Sequence, residues 1–165
     1  MPALSDLPEP LRRLAAWLHV DFRSTGQPSA SSLLIATLVA LVGSLLADYL
    51  LVRLGTAAFP STKGYGHFRF SDYSKLTIIG VLVACVAWPV MTQVTSRPRW
   101  LFVRAAVVVT VVLFAPDAWI WHGGAPGDAV FVLIWLHVAI ALVTYNALVR
   151  IAPARKKSRG RHARP

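Results

Sequence analysis

Three acidic or histidine side chains lie within long apolar stretches of this 165-residue chain: Asp48, Asp117 and His137. A carboxylate beside an imidazole can form a hydrogen-bonded pair, relay a proton, hold a small cation, or act as acid and base on a substrate. An ionisable group in hydrocarbon is energetically costly, so it must turn toward other protein groups. If the surrounding stretches cross a membrane, these three residues form a candidate intramembrane polar cluster.

The stretches around these residues have the length and composition of membrane spans. A helix needs about 20 mainly apolar residues to cross roughly 30 Å of hydrocarbon. A mean hydropathy of +0.57 and an apolar content of 56% also exceed those of ordinary soluble domains. The sequence therefore predicts an all-α, four-span transmembrane helix bundle with spans at about 32–54, 76–96, 101–121 and 129–151.

The basic residues predict how this bundle is oriented. Thirteen of the 17 lysines and arginines fall in the two tails and around the second connection, and the other four fall in the first connection. Because basic residues concentrate on the cytoplasmic side, both termini are expected in the cytoplasm, in a multi-pass protein of the cell (inner) membrane. The predicted division is a cytoplasmic N-terminal segment (1–31), a transmembrane domain (32–152) and a basic cytoplasmic tail (153–165).

The N-terminal segment contains a pattern of its own between residues 8 and 22. Leu11, Leu14 and Phe22 recur at helical spacing, together with Trp17 or Leu18, while the charged residues fall elsewhere. This pattern is typical of a short amphipathic helix on the cytoplasmic membrane surface. A loosely ordered tail is the alternative interpretation.

The predicted topology brings the three polar residues to a similar depth. At about 1.5 Å per residue, Asp48, Asp117 and His137 lie roughly 9, 6 and 12 Å below the outer ends of their spans. All three are therefore expected in the outer half of the bundle, where they can share one interior.

Three interpretations of this cluster remain open at the level of sequence. His137 and a carboxylate could form a pair that fixes helix register. The three groups could instead relay protons or hold a cation in a small transporter. They could also act as acid and base in a membrane-embedded enzyme on a lipid or glycan donor. Asp48, Asp117, His122 and His137 could supply metal ligands, but their spacing matches no known signature, so no metal is predicted.

No other motif points to a reaction or a cofactor. The sequence contains no zinc-protease motif, nucleophile elbow, dinucleotide fingerprint or phosphate-binding loop, so neither an enzyme nor a cofactor is predicted. Small residues at four-residue spacing in the first span (Ala36, Ala40, Ser44) favour close packing against another helix. The basic run at 155–161 is expected to fix orientation and to contact anionic lipids, whereas nucleic acid is not an expected partner.

Two short motifs carry a resemblance to a known family. Phe114-Ala115-Pro116-Asp117 ends the third span, and Leu136-His137-Val138-Ala139-Ile140-Ala141 lies in the fourth. Over about residues 35–152, the chain resembles uncharacterised four-helix integral membrane proteins found mainly in actinobacteria. Leu136 stands where that family commonly has methionine. The resemblance implies a four-span inner-membrane protein and no particular activity.

Together, these patterns predict a non-enzymatic accessory or complex-forming membrane component, which associates with itself or with a membrane-protein partner. The small-residue face of the first span is the main support for this hypothesis. A proton or cation transporter and a membrane-embedded enzyme are the two alternatives.

Overall fold

Five α-helices account for most of the part of the chain that the computed structural model describes, residues 8–17 and 26–155. No β-strand occurs in that part beyond a single bridge between Gly26 and Arg155. The helices are α1 (Glu9–Trp17), α2 (Ala30–Ala58), α3 (Phe70–Val94), α4 (Pro98–His122) and α5 (Gly127–Ile151).

Helices α2 to α5 are each long and apolar enough to cross a membrane, which confirms the four-span prediction. Their bounds differ from the apolar windows of the sequence. Helix α2 is longer at both ends, and α3 begins at Phe70 rather than near residue 76. The reason is that a helix keeps its own hydrogen bonds beyond the hydrocarbon layer, so polar residues such as Ser71 and Asp72 can form its first turn.

The four long helices are arranged in the order α3, α2, α5, α4. The most extensive contact joins α2 to α5, followed by the contacts α4–α5 and α2–α3, whereas α3 touches α4 and α5 only sparsely. Close α2–α5 packing depends on small residues. A Cβ atom on Gly55 would lie 2.6 Å from Val132 Cγ2, and one on Gly43 would lie 2.9 Å from Val143 Cγ1. The small-residue face of the first span (Ala36, Ala40, Ser44) has no exposed surface, so it packs within the bundle and does not supply the contact for self-association that the sequence suggested.

Aromatic residues fill the core at the end of the bundle that carries Gly26 and Arg155, which we call the terminal end. The fully buried Trp88 ring of α3 lies 5.1 Å from the Phe102 ring of α4, and Phe102 stacks at 5.8 Å on Tyr145 of α5. The Trp88 indole also donates a hydrogen bond to the Ala152 carbonyl at 2.8 Å. These contacts join three helices at the terminal end.

The opposite end, which we call the loop end, is covered by the connection between α2 and α3. This connection contains two short 3₁₀ turns, Pro60–Thr62 and Gly66–Phe68. Its Tyr65 and Phe68 side chains, like Ile120 of α4, pack against a buried cluster from α2, α3 and α5: Val52, Tyr73, Leu133 and Leu136. The connection therefore folds over the bundle.

Helix α1 confirms part of the amphipathic pattern expected between residues 8 and 22. It covers Glu9–Trp17, and residues 18–22 lie outside the described part of the chain. Within α1, Leu11 is 50% exposed and Trp17 is 59% exposed. These two apolar side chains of α1 are therefore not buried in the bundle.

Candidate intramembrane polar cluster

Asp48 lies on the side of α2 that faces the bundle interior, and it has no exposed surface. It stands ten residues before the end of α2, or roughly 15 Å along the helix from the loop end. Its Oδ2 atom accepts a 2.6 Å hydrogen bond from the Thr77 hydroxyl of α3, while Oδ1 has no hydrogen-bond partner. Asp48 therefore links α2 to α3 with half of its accepting capacity unused.

Asp117 of α4 meets His137 of α5 in a second polar contact between helices. Asp117 Oδ2 lies 3.3 Å from His137 Nδ1, and the exposed fractions of the two side chains are 8% and 23%. The same Nδ1 lies 2.9 Å from the Leu133 carbonyl, which can only accept, so the Nδ1 hydrogen points to that carbonyl. Asp117 Oδ2 is thereby left without a hydrogen-bond donor.

His137 lies near both acidic residues. It lies within electrostatic range of Asp48 as well as of Asp117, although no hydrogen bond joins it to Asp48. One turn of α2 further from the loop end, the Ser44 and Thr144 hydroxyls lie 3.5 Å apart and connect α2 to α5. The structure thus brings Asp117 into contact with His137, with Asp48 nearby.

Two residues of the covering connection complete the cluster at the loop end. Tyr65 is half-buried, and its pKa is raised above the usual value, first by burial and second by the Asp117 carboxylate. The phenol is therefore protonated at neutral pH, and its hydroxyl is available as a donor close to Asp117. The exposed His67 also lies within electrostatic range of Asp117, and its ring contacts that of Tyr65 at 5.3 Å.

Sequence reasoning missed Thr77, Tyr65 and His67 as members of this cluster. Thr77 comes to nearly the depth of Asp48 only because α3 begins at Phe70, since a span beginning near residue 76 would have left it at the edge. Tyr65 and His67 carry no sequence signal. Their position depends on how the connection folds over the bundle, and no periodic pattern specifies that.

The geometry limits the chemistry that this cluster can perform. Among residues 8–17 and 26–155, no group of three or more His, Cys, Asp or Glu side chains is placed to hold a metal ion. Two buried carboxyl groups with unused oxygens beside one imidazole can instead hold and exchange protons. They can also fix the contacts between helices.

Comparison with known protein families gives a match over most of the chain. Residues 20–154 match the model of a family of unknown function, DUF6069. No curated protein and no solved structure matches the chain significantly.

Proposed function

The chain belongs to DUF6069, a family of unknown function, and we propose that it is a non-enzymatic membrane component that works by associating with a second copy of itself. The polar cluster then fixes the helices, and a lipid-facing surface of α4 makes the association. We further propose that the terminal end faces the cytoplasm and that the membrane is the inner membrane of an actinobacterial cell, as charge placement and family resemblance suggest.

The pairing of polar groups supports a structural role for the cluster. Thr77–Asp48 joins α3 to α2, Ser44–Thr144 joins α2 to α5, and His137–Asp117 joins α5 to α4. Each pair thus lies between two adjacent helices, and together the pairs connect all four. A residue without exposed surface, such as Asp48, also cannot touch a substrate in this conformation, which favours a non-enzymatic function.

The observation that carries the association is the sparse burial of α4. Between Phe102 and Asp117, none of the 14 residues is buried. The exposed side is rich in valine, including Val107, Val108, Val111 and Val112. Helices associate in lipid through van der Waals packing, and valine loses little rotamer freedom on packing because its χ1 is already restricted in a helix. We assign the valine-rich surface of α4 to a homodimer contact.

We expect disulfide cross-linking to detect this contact in native membranes. In a Cys85→Ala background, Val108→Cys should give a covalent dimer on mild oxidation, because residues at a symmetric contact lie close to their own copies. The matched control is Val42→Cys on α2, which is similarly exposed and should stay monomeric. Equal cross-linking at both positions, or a purely monomeric protein in mild detergent, would contradict the proposal.

A second candidate function, proton transport, is favoured by one specific observation. A series of titratable groups runs from the exposed His67 to Asp117, His137 and the fully buried Asp48. The described core beyond Ser44 and Thr144 is mainly apolar, with Ala40, Val81 and Trp88 among its members. A proton that enters at the loop end can cross only if this core opens.

Reconstitution into vesicles separates proton transport from a structural role. A pH-sensitive dye inside the vesicles reports proton flux after a pH gradient is imposed. If the protein is a transporter, the wild type should give a flux above the leak of protein-free vesicles. Asp117→Asn or His137→Ala should reduce the flux to that leak. Asp72→Asn, which changes an exposed carboxylate outside the cluster, should leave the flux unchanged. Wild-type protein that gives no flux above the leak rules this candidate out.

A further inference from the structure

Four arginines that have no acidic partner among the described residues gather at the terminal end. Arg97 and Arg99 are exposed where α4 begins, Arg150 is exposed in the last turn of α5, and Arg155 is exposed just beyond it. The described residues contain the ion pair Arg13–Glu9 and the contact between His137 and Asp117, and neither involves any of these four arginines. This end therefore has a surplus of fixed positive charge within the described part of the chain.

Helix α1 is attached beside these arginines. The Arg104 guanidinium donates a 3.1 Å hydrogen bond to the Trp17 carbonyl, and it lies 4.6 Å from the centroid of the Trp17 ring and 3.2 Å from that of Trp100. This contact holds the C-terminal end of α1 within two turns of the start of α4. Tryptophan and arginine are typical of the boundary between hydrocarbon and headgroups, so α1 lies at that level.

The two chain segments that flank the spans are also joined at this end. Gly26 and Arg155 exchange two main-chain hydrogen bonds of 2.7 and 2.8 Å, and the Gln27 side chain donates to the Pro89 carbonyl at 3.3 Å. This main-chain pairing with Gly26 fixes the position of Arg155, the first residue of the basic run 155–161. That run therefore starts on the same surface as Arg97 and Arg99.

We propose that the terminal end binds anionic phospholipid headgroups of the leaflet that it contacts. Arg97, Arg99, Arg150 and Arg155 pair with the lipid phosphates, since guanidinium groups bind phosphate through charge-assisted hydrogen bonds. The exposed Leu11 and Trp17 side chains of α1 insert at the level of the upper acyl chains. Combined apolar and basic surfaces at the membrane boundary fit a lipid leaflet better than free phosphate or nucleic acid.

Native mass spectrometry of the full-length protein in mild detergent tests this proposal. Dioleoyl phosphatidylglycerol should bind more tightly than dioleoyl phosphatidylcholine, which has no net charge. Because each basic residue near a membrane surface contributes about 1 kcal/mol, Arg97→Gln/Arg99→Gln should weaken phosphatidylglycerol binding by at least about tenfold. Arg97→Lys/Arg99→Lys should retain most of the affinity. The control Arg53→Gln/Lys63→Gln removes the same charge toward the loop end and should have no effect.

Three results would overturn the proposal: equal affinity for the two lipids, equal loss in the control variant, or displacement of phosphatidylglycerol by an equimolar amount of inorganic phosphate. If Arg97→Gln/Arg99→Gln does not fold, the salt dependence of the wild-type protein decides. The preference for phosphatidylglycerol should disappear in 1 M ammonium acetate, where the Debye length is only about 3 Å. A preference that persists at that salt concentration would contradict a charge-based site.

Discussion

Trp88→Ala should lower the free energy of unfolding by about 3–5 kcal/mol, the usual range for deleting a buried aromatic side chain. Trp88 has no exposed surface, contacts Phe102, and donates its indole hydrogen to the Ala152 carbonyl at the end of α5. Alanine would leave a cavity between three helices and a carbonyl without its donor. Titration of the purified protein from mild detergent into a denaturing detergent measures the change.

Two variants separate the cavity from the hydrogen bond. Trp88→Phe keeps an aromatic ring and loses the donor, so its cost should fall between those of wild type and Trp88→Ala, at about 1–3 kcal/mol. Trp119→Ala is the matched control, because Trp119 is 79% exposed at the loop end and its removal opens no cavity. If Trp119→Ala costs as much as Trp88→Ala, the terminal aromatic core does not carry the stability assigned to it.

Thr77→Val should destabilise the bundle by about 1–3 kcal/mol, although valine has nearly the shape of threonine. The Thr77 hydroxyl is the hydrogen-bond donor to Asp48, whose other oxygen already lacks a partner. Without that donor, a carboxyl group with no exposed surface would have neither oxygen satisfied. The same denaturing titration measures this effect, and Thr77→Ser should preserve wild-type stability because it keeps the hydroxyl.

A double-mutant cycle shows whether the cost arises from Asp48. In an Asp48→Ala background there is no carboxyl group to leave unsatisfied, so Thr77→Val should cost less than about 0.5 kcal/mol. An undiminished cost in that background would mean that Thr77 stabilises the protein through packing and not through its hydrogen bond to Asp48.

The sequence was sufficient for the number of spans, because hydropathy over about 20 residues depends only on local composition. It was less informative about helix bounds, as α3 shows by beginning at Phe70 within a polar segment. The depth of each polar residue follows from counting residues along a helix. The contact between Asp117 and His137 instead depends on which helices are adjacent and how they are rotated, and these are tertiary properties.

The covering connection illustrates what local patterns leave out. Its mixture of aromatic and charged residues is typical of a headgroup layer, and the exposed His67 fits that interpretation. Tyr65 and Phe68 instead pack onto the helices, against the buried cluster of Val52, Tyr73, Leu133 and Leu136. Whether an aromatic side chain points to lipid or to protein depends on the shape of the surface below it, which no single segment encodes.

The order α3, α2, α5, α4 has a consequence for biosynthesis. Helices α2 and α3 are consecutive in the chain and pack together, and so do α4 and α5, so each pair can form a helical hairpin as it enters the bilayer. The extensive α2–α5 interface joins the first helix of one hairpin to the second helix of the other, so it forms only after both are inserted. The main-chain pairing of Gly26 with Arg155 likewise forms only after translation has passed α5, because Arg155 follows that helix.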